Sequence, residues 1–141
     1  MSDLEYKFAE GLPATVKKFR QRGTGGDTMI FKIDHDKEEI QEDTTMKGIS
    51  LKELGDHLDE ASEPRYVLHI HTQKHADGRV QYPLALIMHM PESTPSRLKT
   101  LYTRPLPNLV STFGVNKHIV LEDCDDLTED GDDWLNAKLK V

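Results

Sequence analysis

The sequence predicts an α/β (α+β) protein, a central mixed β-sheet sandwiched between helices. Two observations carry the prediction. Apolar residues recur at helical spacing near both ends and in the middle of the chain, with β-rich runs between them, in the order α-β-β-α-β-β-α-β-α. Two of those runs, 65–73 and 80–90, are separated by Ala76-Asp77-Gly78-Arg79, and an Asp-Gly turn between β-rich runs specifies a hairpin. A length of 141 residues suits one domain spanning 1–141.

Taken in order, Leu4, Phe8, Leu12, Val16 and Phe19 recur every three or four residues and predict a first helix. Gly11 and Pro13 fall inside that stripe, so the helix is expected to kink or to start late, because proline is accommodated only near a helix N-terminus. Residues 23–26, Gly-Thr-Gly-Gly, form a turn into a strand over 28–34, and Asp34-His35-Asp36-Lys37 turns into a more polar strand near 38–42. Ser50 with Glu53 is a capping-box pair, predicting a short helix over 51–58. The hairpin follows, with a polar tip that is expected to project. Residues 93–113 carry Leu98, Leu101, Tyr102, Leu109, Val110 and Phe113 at helical spacing, but Pro105 and Pro107 must break or bend that helix. A short buried strand is expected over 118–121, and Thr128 is expected to open a last helix carrying Trp134, Leu135 and Leu139.

Composition excludes several classes. The 25 acidic against 18 basic residues give a formal charge of -7, the opposite of the basic footprint of a general nucleic-acid binder. Residues 84–88 form the longest apolar run, far short of a membrane helix, and the acidic start lacks a signal-peptide layout. Neither nucleic acid nor membrane is therefore expected as a partner, and a cytoplasmic monomer is. The single cysteine, Cys124, excludes an internal disulfide and Cys-rich zinc sites.

Candidate chemistry is sparse. Residues 23–26 lack the Gly-Lys-Ser/Thr ending of a phosphate loop, and Asp27 would repel phosphate. His69 and His71 share one strand face and His89 could lie on the neighbouring strand, but no carboxylate or cysteine at matching spacing completes a zinc site, so they read as surface-strand histidines. Eight acids lie within residues 122–133; aligned as a calcium loop, the twelfth position falls on Ala137 instead of the required glutamate. The acids instead suit a turn and the first turn of a helix. Acidic neighbours disfavour a Cys124 thiolate, and no nucleophile-elbow pattern is present. No enzyme, cofactor or metal is expected. One positive feature stands out: no acid lies between Glu92 and Glu122, while Arg97, Lys99, Arg104 and Lys117 do. A basic, partly apolar helix in an acidic chain suits an acidic protein groove.

With these segments placed, the chain resembles the glia maturation factor branch of the actin-depolymerising-factor/cofilin superfamily. The resemblance lies in Lys18-Phe19-Arg20, in MIFKID over 29–34, in GISLKEL over 48–54 and above all in RYVLHIHTQKHADGRVQYP over 65–83. Leu101-Tyr102, Asp126-Leu127-Thr128, Trp134-Leu135 and Lys138-Leu139 extend it nearly to the end. The resemblance implies the actin-depolymerising-factor homology fold and a non-enzymatic regulator. Such a protein binds the actin-related protein 2/3 complex, inhibits branched nucleation, promotes debranching and works at cortical branched actin networks. It further implies two contact surfaces. One comprises Ser2, Asp3, Arg97, Leu98, Lys99, Leu101, Tyr102, Arg104, Asp125 and Asp126 and would enter the barbed-end groove of an actin-like subunit. The other comprises Arg20, Arg22, His75, Asp77, Arg79, Lys138 and Lys140 and would reach actin at the branch junction. The alternative is a cofilin-like protein that binds and severs bare filaments.

Overall fold

The computed structural model describes residues 7–61 and 63–139. Its centre is a six-stranded mixed sheet, and the local chemistry of each segment explains how the sheet is fed. Strand β1 (Lys7–Phe8) precedes helix α1 (Leu12–Arg22). The first helix thus starts late: Gly11 sits in the left-handed region at φ 80° and Pro13 occupies the first turn, where no intrahelical N–H is needed. Phe8, expected on that helix, pairs instead with Ile40 in a strand. Strand β2 (Thr28–Asp34) coincides with its prediction, whereas β3 (Glu39–Met46) runs four residues beyond the expected end at 42. A register shift between Ile30 and Phe31 lets β3 follow β2 for that length.

Helix α2 (Leu51–Ala61) opens with the anticipated capping box: Glu53 N–H donates to Ser50 Oγ at 3.1 Å, and Ser50 N–H donates back to Glu53 Oε1 at 3.3 Å. Strands β4 (Arg65–Ile70) and β7 (Leu84–His89) form the sheet's central antiparallel pair. Beyond them the hairpin continues as a separate two-stranded ribbon, β5 (Gln73–Lys74) with β6 (Val80–Gln81). The Pro-interrupted segment divides into α3 (Ser96–Thr103) and α4 (Leu106–Phe113). Arg104 and Pro105 keep right-handed helical angles, so the two helices are joined by a bend and not by a loop. Strand β8 (His118–Leu121) pairs parallel with β7. It alternates exposed and buried residues, unlike the wholly buried strand expected, because it lies at the sheet edge. Thr128 closes a short helix, α5 (Asp125–Thr128), and the last helix, α6 (Gly131–Leu139), begins three residues later. Gly131 marks that start because it packs on α2: a methyl there would lie 2.8 Å from Leu51 Cβ.

Strand order is β1-β3-β2-β4-β7-β8. Side chains from alternate strand positions feed two cores. One joins Phe31, Tyr66, Leu86 and Met88 to α1, α3 and α4 through Val16, Tyr102, Leu109 and Phe113. The other joins Ile30, Val67 and Ile87 to α2, α5 and α6 through Leu54, Leu58, Leu127 and Leu135. Helices therefore cover both faces, as the sequence predicts.

Candidate partner-binding surfaces

The sheet has two ends, and strand register assigns each candidate residue to one of them. At the first end β4 begins while β7 and β8 finish, with Arg65 opposite His89 and His89 opposite Leu121. Met90 N–H donates to the Leu121 carbonyl at 2.9 Å, so the chain leaves both parallel strands side by side. One exit leads to α3 and the other to α5, which brings Arg97 at the start of α3 and Asp125 and Asp126 at the start of α5 to the same end. Lys7 lies here too, since its partner Glu39 pairs with Asp34 at the end of β2. Ser2 and Asp3 lie outside the described residues.

Along α3, Arg97 and Arg104 are exposed, and Leu98, Lys99 and Leu101 are half-buried. Between the two exits lies a cleft of about 240 Å³ lined by Asp59, Glu92, Glu122 and Asp123 with Cys124 and His89 at its base. This end therefore presents a basic helix beside an acidic rim, a pattern that fixes the orientation of a partner more than it adds affinity.

Tyr102 does not belong to this surface. Its residue is 3% exposed. Tyr66 Oη donates to its carbonyl at 2.6 Å, and its own Oη accepts from Ile33 N–H at 3.1 Å. Burial raises the pKa of both phenols. The helical spacing that places Tyr102 beside Leu98 and Leu101 says nothing about depth, and this tyrosine fastens α3 to the sheet. Tyr102→Phe is expected to cost about 1–3 kcal/mol by leaving a buried amide unpaired, with partner binding unchanged; chemical denaturation and a binding titration check both halves.

At the second end β4 finishes and β7 begins, Ile70 opposite Leu84. Helix α1 also finishes here: a methyl at Gly23, which follows Arg20 and Arg22, would lie 2.4 Å from Ile70 Cδ1. The ribbon β5–β6 extends this end, and its tip is internally braced. The His75 backbone N–H donates to the Arg79 carbonyl at 2.9 Å, and Arg79 Nε donates to Asp77 Oδ2 at 2.7 Å. The Arg79 backbone N–H and guanidinium hold the Asp77 carboxyl below its ordinary range. His75 also meets Gln81 across the ribbon at 2.7 Å. Helix α6 reaches this end through Leu139, with Lys138 stacked over the Trp134 ring at 5.9 Å; Lys140 lies outside the described residues. The structure thus gathers Arg20, Arg22, the hairpin tip and Lys138 at one end, opposite α3.

A cleft of about 680 Å³ opens at this second end, and of the described residues expected on the second surface Arg20 alone lines it. Tyr82, 59% exposed, and Lys117 line it with Arg20 and Gly114. Its parts come from α1, the hairpin, the residues after α4 and the end of α6, so no local motif announces it.

The histidines and the cysteine are structural. His69, His71 and His89 are buried, where surface-strand histidines were the expectation. His69 Nδ1 meets Thr28 Oγ1 at 2.8 Å, His71 Nε2 meets Asn136 Oδ1 at 2.7 Å, and His89 is engaged by the Leu121 carbonyl and Cys124. Among the described residues no group of three His, Cys, Asp or Glu side chains is arranged to hold a metal. Burial, with Asp59, Asp123 and Asp125 adding to it, pushes the Cys124 thiol up to about 11, which suppresses the nucleophilic thiolate.

Comparison with known proteins decides the family. Residues 6–140 match the family described as cofilin/tropomyosin-type actin-binding protein. The human protein glia maturation factor beta is 36% identical over 132 residues, covering 93% of this chain and 90% of its own. The chain belongs to the glia maturation factor branch of this actin-binding family. The glia maturation factor of Drosophila melanogaster is 31% identical, covering 89% of this chain and 88% of its own. The solution structure of glia maturation factor from Caenorhabditis elegans superposes with a TM-score of 0.80 at 27% identity, covering 99% of both chains. A Streptomyces griseoflavus cofilin shares the fold at a TM-score of 0.72 and 16% identity, covering 88% of this chain and 91% of its own. The actin-depolymerising-factor homology fold implied by the sequence resemblance is therefore present, and the chain is a member of an actin-binding family.

Proposed function

We propose that this chain is a non-enzymatic regulator of branched actin that binds the actin-related protein 2/3 complex, restrains branch nucleation and detaches existing branches. The observation that supports the reading is that, among the described residues, Arg97, Asp125 and Asp126 lie at one end of the sheet and Arg20, Arg22, the hairpin tip and Lys138 at the other. A wedge needs separated contacts on two neighbouring subunits, and two separated ends would offer them. The α3 end would dock on an actin-like subunit, with Leu98 and Leu101 giving apolar area and Arg97, Lys99 and Arg104 giving orientation. The hairpin end would engage actin at the branch junction. Binding as a single copy at the branch would place it at cortical branched networks of the cytoplasm.

A branching assay with purified protein tests this: slowed nucleation and accelerated branch loss are expected, and neither effect at micromolar protein rejects the reading. Two double variants separate the ends. Arg97→Ala with Lys99→Ala is expected to weaken complex association several-fold, mostly through a slower on-rate and a flatter salt dependence, without loss of stability. Asp77→Ala with Arg79→Ala is expected to spare complex binding and reduce debranching. Normal debranching by the hairpin variant excludes the two-ended wedge. Strong cosedimentation with bare filaments, in the absence of the complex, would point instead to cofilin-like binding.

A further inference from the structure

We infer that the cleft at the hairpin end docks an acidic segment of a protein partner, anchored by one apolar side chain. The charges point to an acidic occupant. Among the described residues Arg20 and Lys117 line the cleft, and no aspartate or glutamate does. Among the described residues neither Arg20 nor Lys117 is engaged in an ion pair, although Lys32, Lys52, Arg65 and Arg79 all are. Arg20 is also positioned by its surroundings. Its guanidinium lies over Gly114, where a methyl would come within 2.4 Å of Nη1, and this places a cation at the C-terminal end of α4.

The remaining lining calls for an apolar anchor. Tyr82, Pro83, Leu84, Val115, Ile119 and Leu139 contribute side chains to the cleft. Tyr82 retains 59% of its surface and leaves its ring open to such an anchor. An apolar floor with a few placed charges is the usual make-up of a site for a peptide side chain. A membrane surface fits less well: lipid recognition draws on clusters of roughly four to eight basic residues, and among the described residues two cations line this cleft.

This inference deepens the hairpin-end contact proposed above by naming the chemistry of the segment it receives. Its test contains no actin, so its failure leaves the branch-junction reading standing, and failure of the branching assay leaves the cleft to be judged separately. The full chain, isotopically labelled, is titrated with a synthetic peptide in which aspartates flank one leucine and one phenylalanine. A second peptide carries asparagine in place of every aspartate. The acidic peptide is expected to shift the amides of Gly23, Leu84, Gly114 and Lys117, and raised salt is expected to weaken it. Arg20→Glu with Lys117→Glu, both exposed positions whose variant is checked by thermal melting, is expected to weaken the acidic peptide by about tenfold or more. Equal binding of the asparagine peptide, shifts confined to other residues, or indifference to the double reversal would each overturn the proposal. So would vesicles of anionic lipid competing at Arg20 and Lys117 while the peptide does not bind.

Discussion

Phe113→Ala is expected to destabilise the protein by about 3–5 kcal/mol, the range for removing a buried aromatic ring. Phe113 is fully buried at the end of α4, and its ring centroid lies 5.3 Å from that of Phe31 in β2 and 5.9 Å from that of Phe8 in β1. One side chain therefore ties a helix to two strands that are not sequence neighbours of it. Its loss has a local consequence too. Gly114 and Val115 follow directly, with Val115 N–H donating to the Val110 carbonyl at 3.1 Å, so a loosened helix end carries the Arg20 platform with it. Urea denaturation measures the global term as a lowered midpoint. Leu98→Ala provides the contrast: Leu98 is half-buried on the candidate docking helix, and its truncation is expected to cost less than about 1.5 kcal/mol. Equal midpoints for the two variants would mean that Phe113 is not the junction described here.

Which features could be read from the sequence depends on whether their cause is local. The β2 strand at Thr28–Asp34 was legible because apolar and β-branched residues fill it and glycines precede it. The start of α2 was legible because Ser50 and Glu53 are three residues apart and satisfy each other. The bend at Pro105 was legible because proline has no N–H to donate into the preceding turn. Where the cause was tertiary, the reading failed. Two-residue β1 exists only because β3 lies beside it, and Phe8 fits a helical stripe just as well. Gly131 divides α5 from α6 by its approach to Leu51, eighty positions earlier in the chain. Tyr102 matched a docking surface by spacing and by resemblance, yet its hydroxyl is held by Ile33 of β2. The placement of candidate sites at two ends needed the register of β4, β7 and β8, and the cleft around Arg20 needed four separate segments.

Lowering the pH from about 6.5 to 4 is expected to remove about 3 kcal/mol of stability through His69 alone. Burial of the imidazole lowers its pKa to about 4, the neighbouring His71 adds to the shift, and Asp27 opposes it. The unfolded chain binds a proton near the ordinary histidine value, while the folded ring stays neutral until the pH approaches its depressed value. Within that window the unfolded state holds more protons, so stability rises with pH, is fully present above about 6.5 and is lost towards 4. The groups around the ring explain why it cannot simply be charged in place. Thr28 Oγ1 meets Nδ1, the Thr28 hydroxyl also reaches the Gly26 carbonyl, and the His71 ring lies 6.2 Å away. Asp27, whose charge opposes the shift, already accepts from the Thr24 and Gly48 amides. His89, lowered mainly by burial, adds a slope of the same sign. Urea midpoints at several pH values isolate the His69 contribution, since His69→Gln should flatten the profile and leave the slope from His89 and the carboxyls whose pKa is lowered. A profile as steep in that variant as in the parent would assign the acid sensitivity elsewhere.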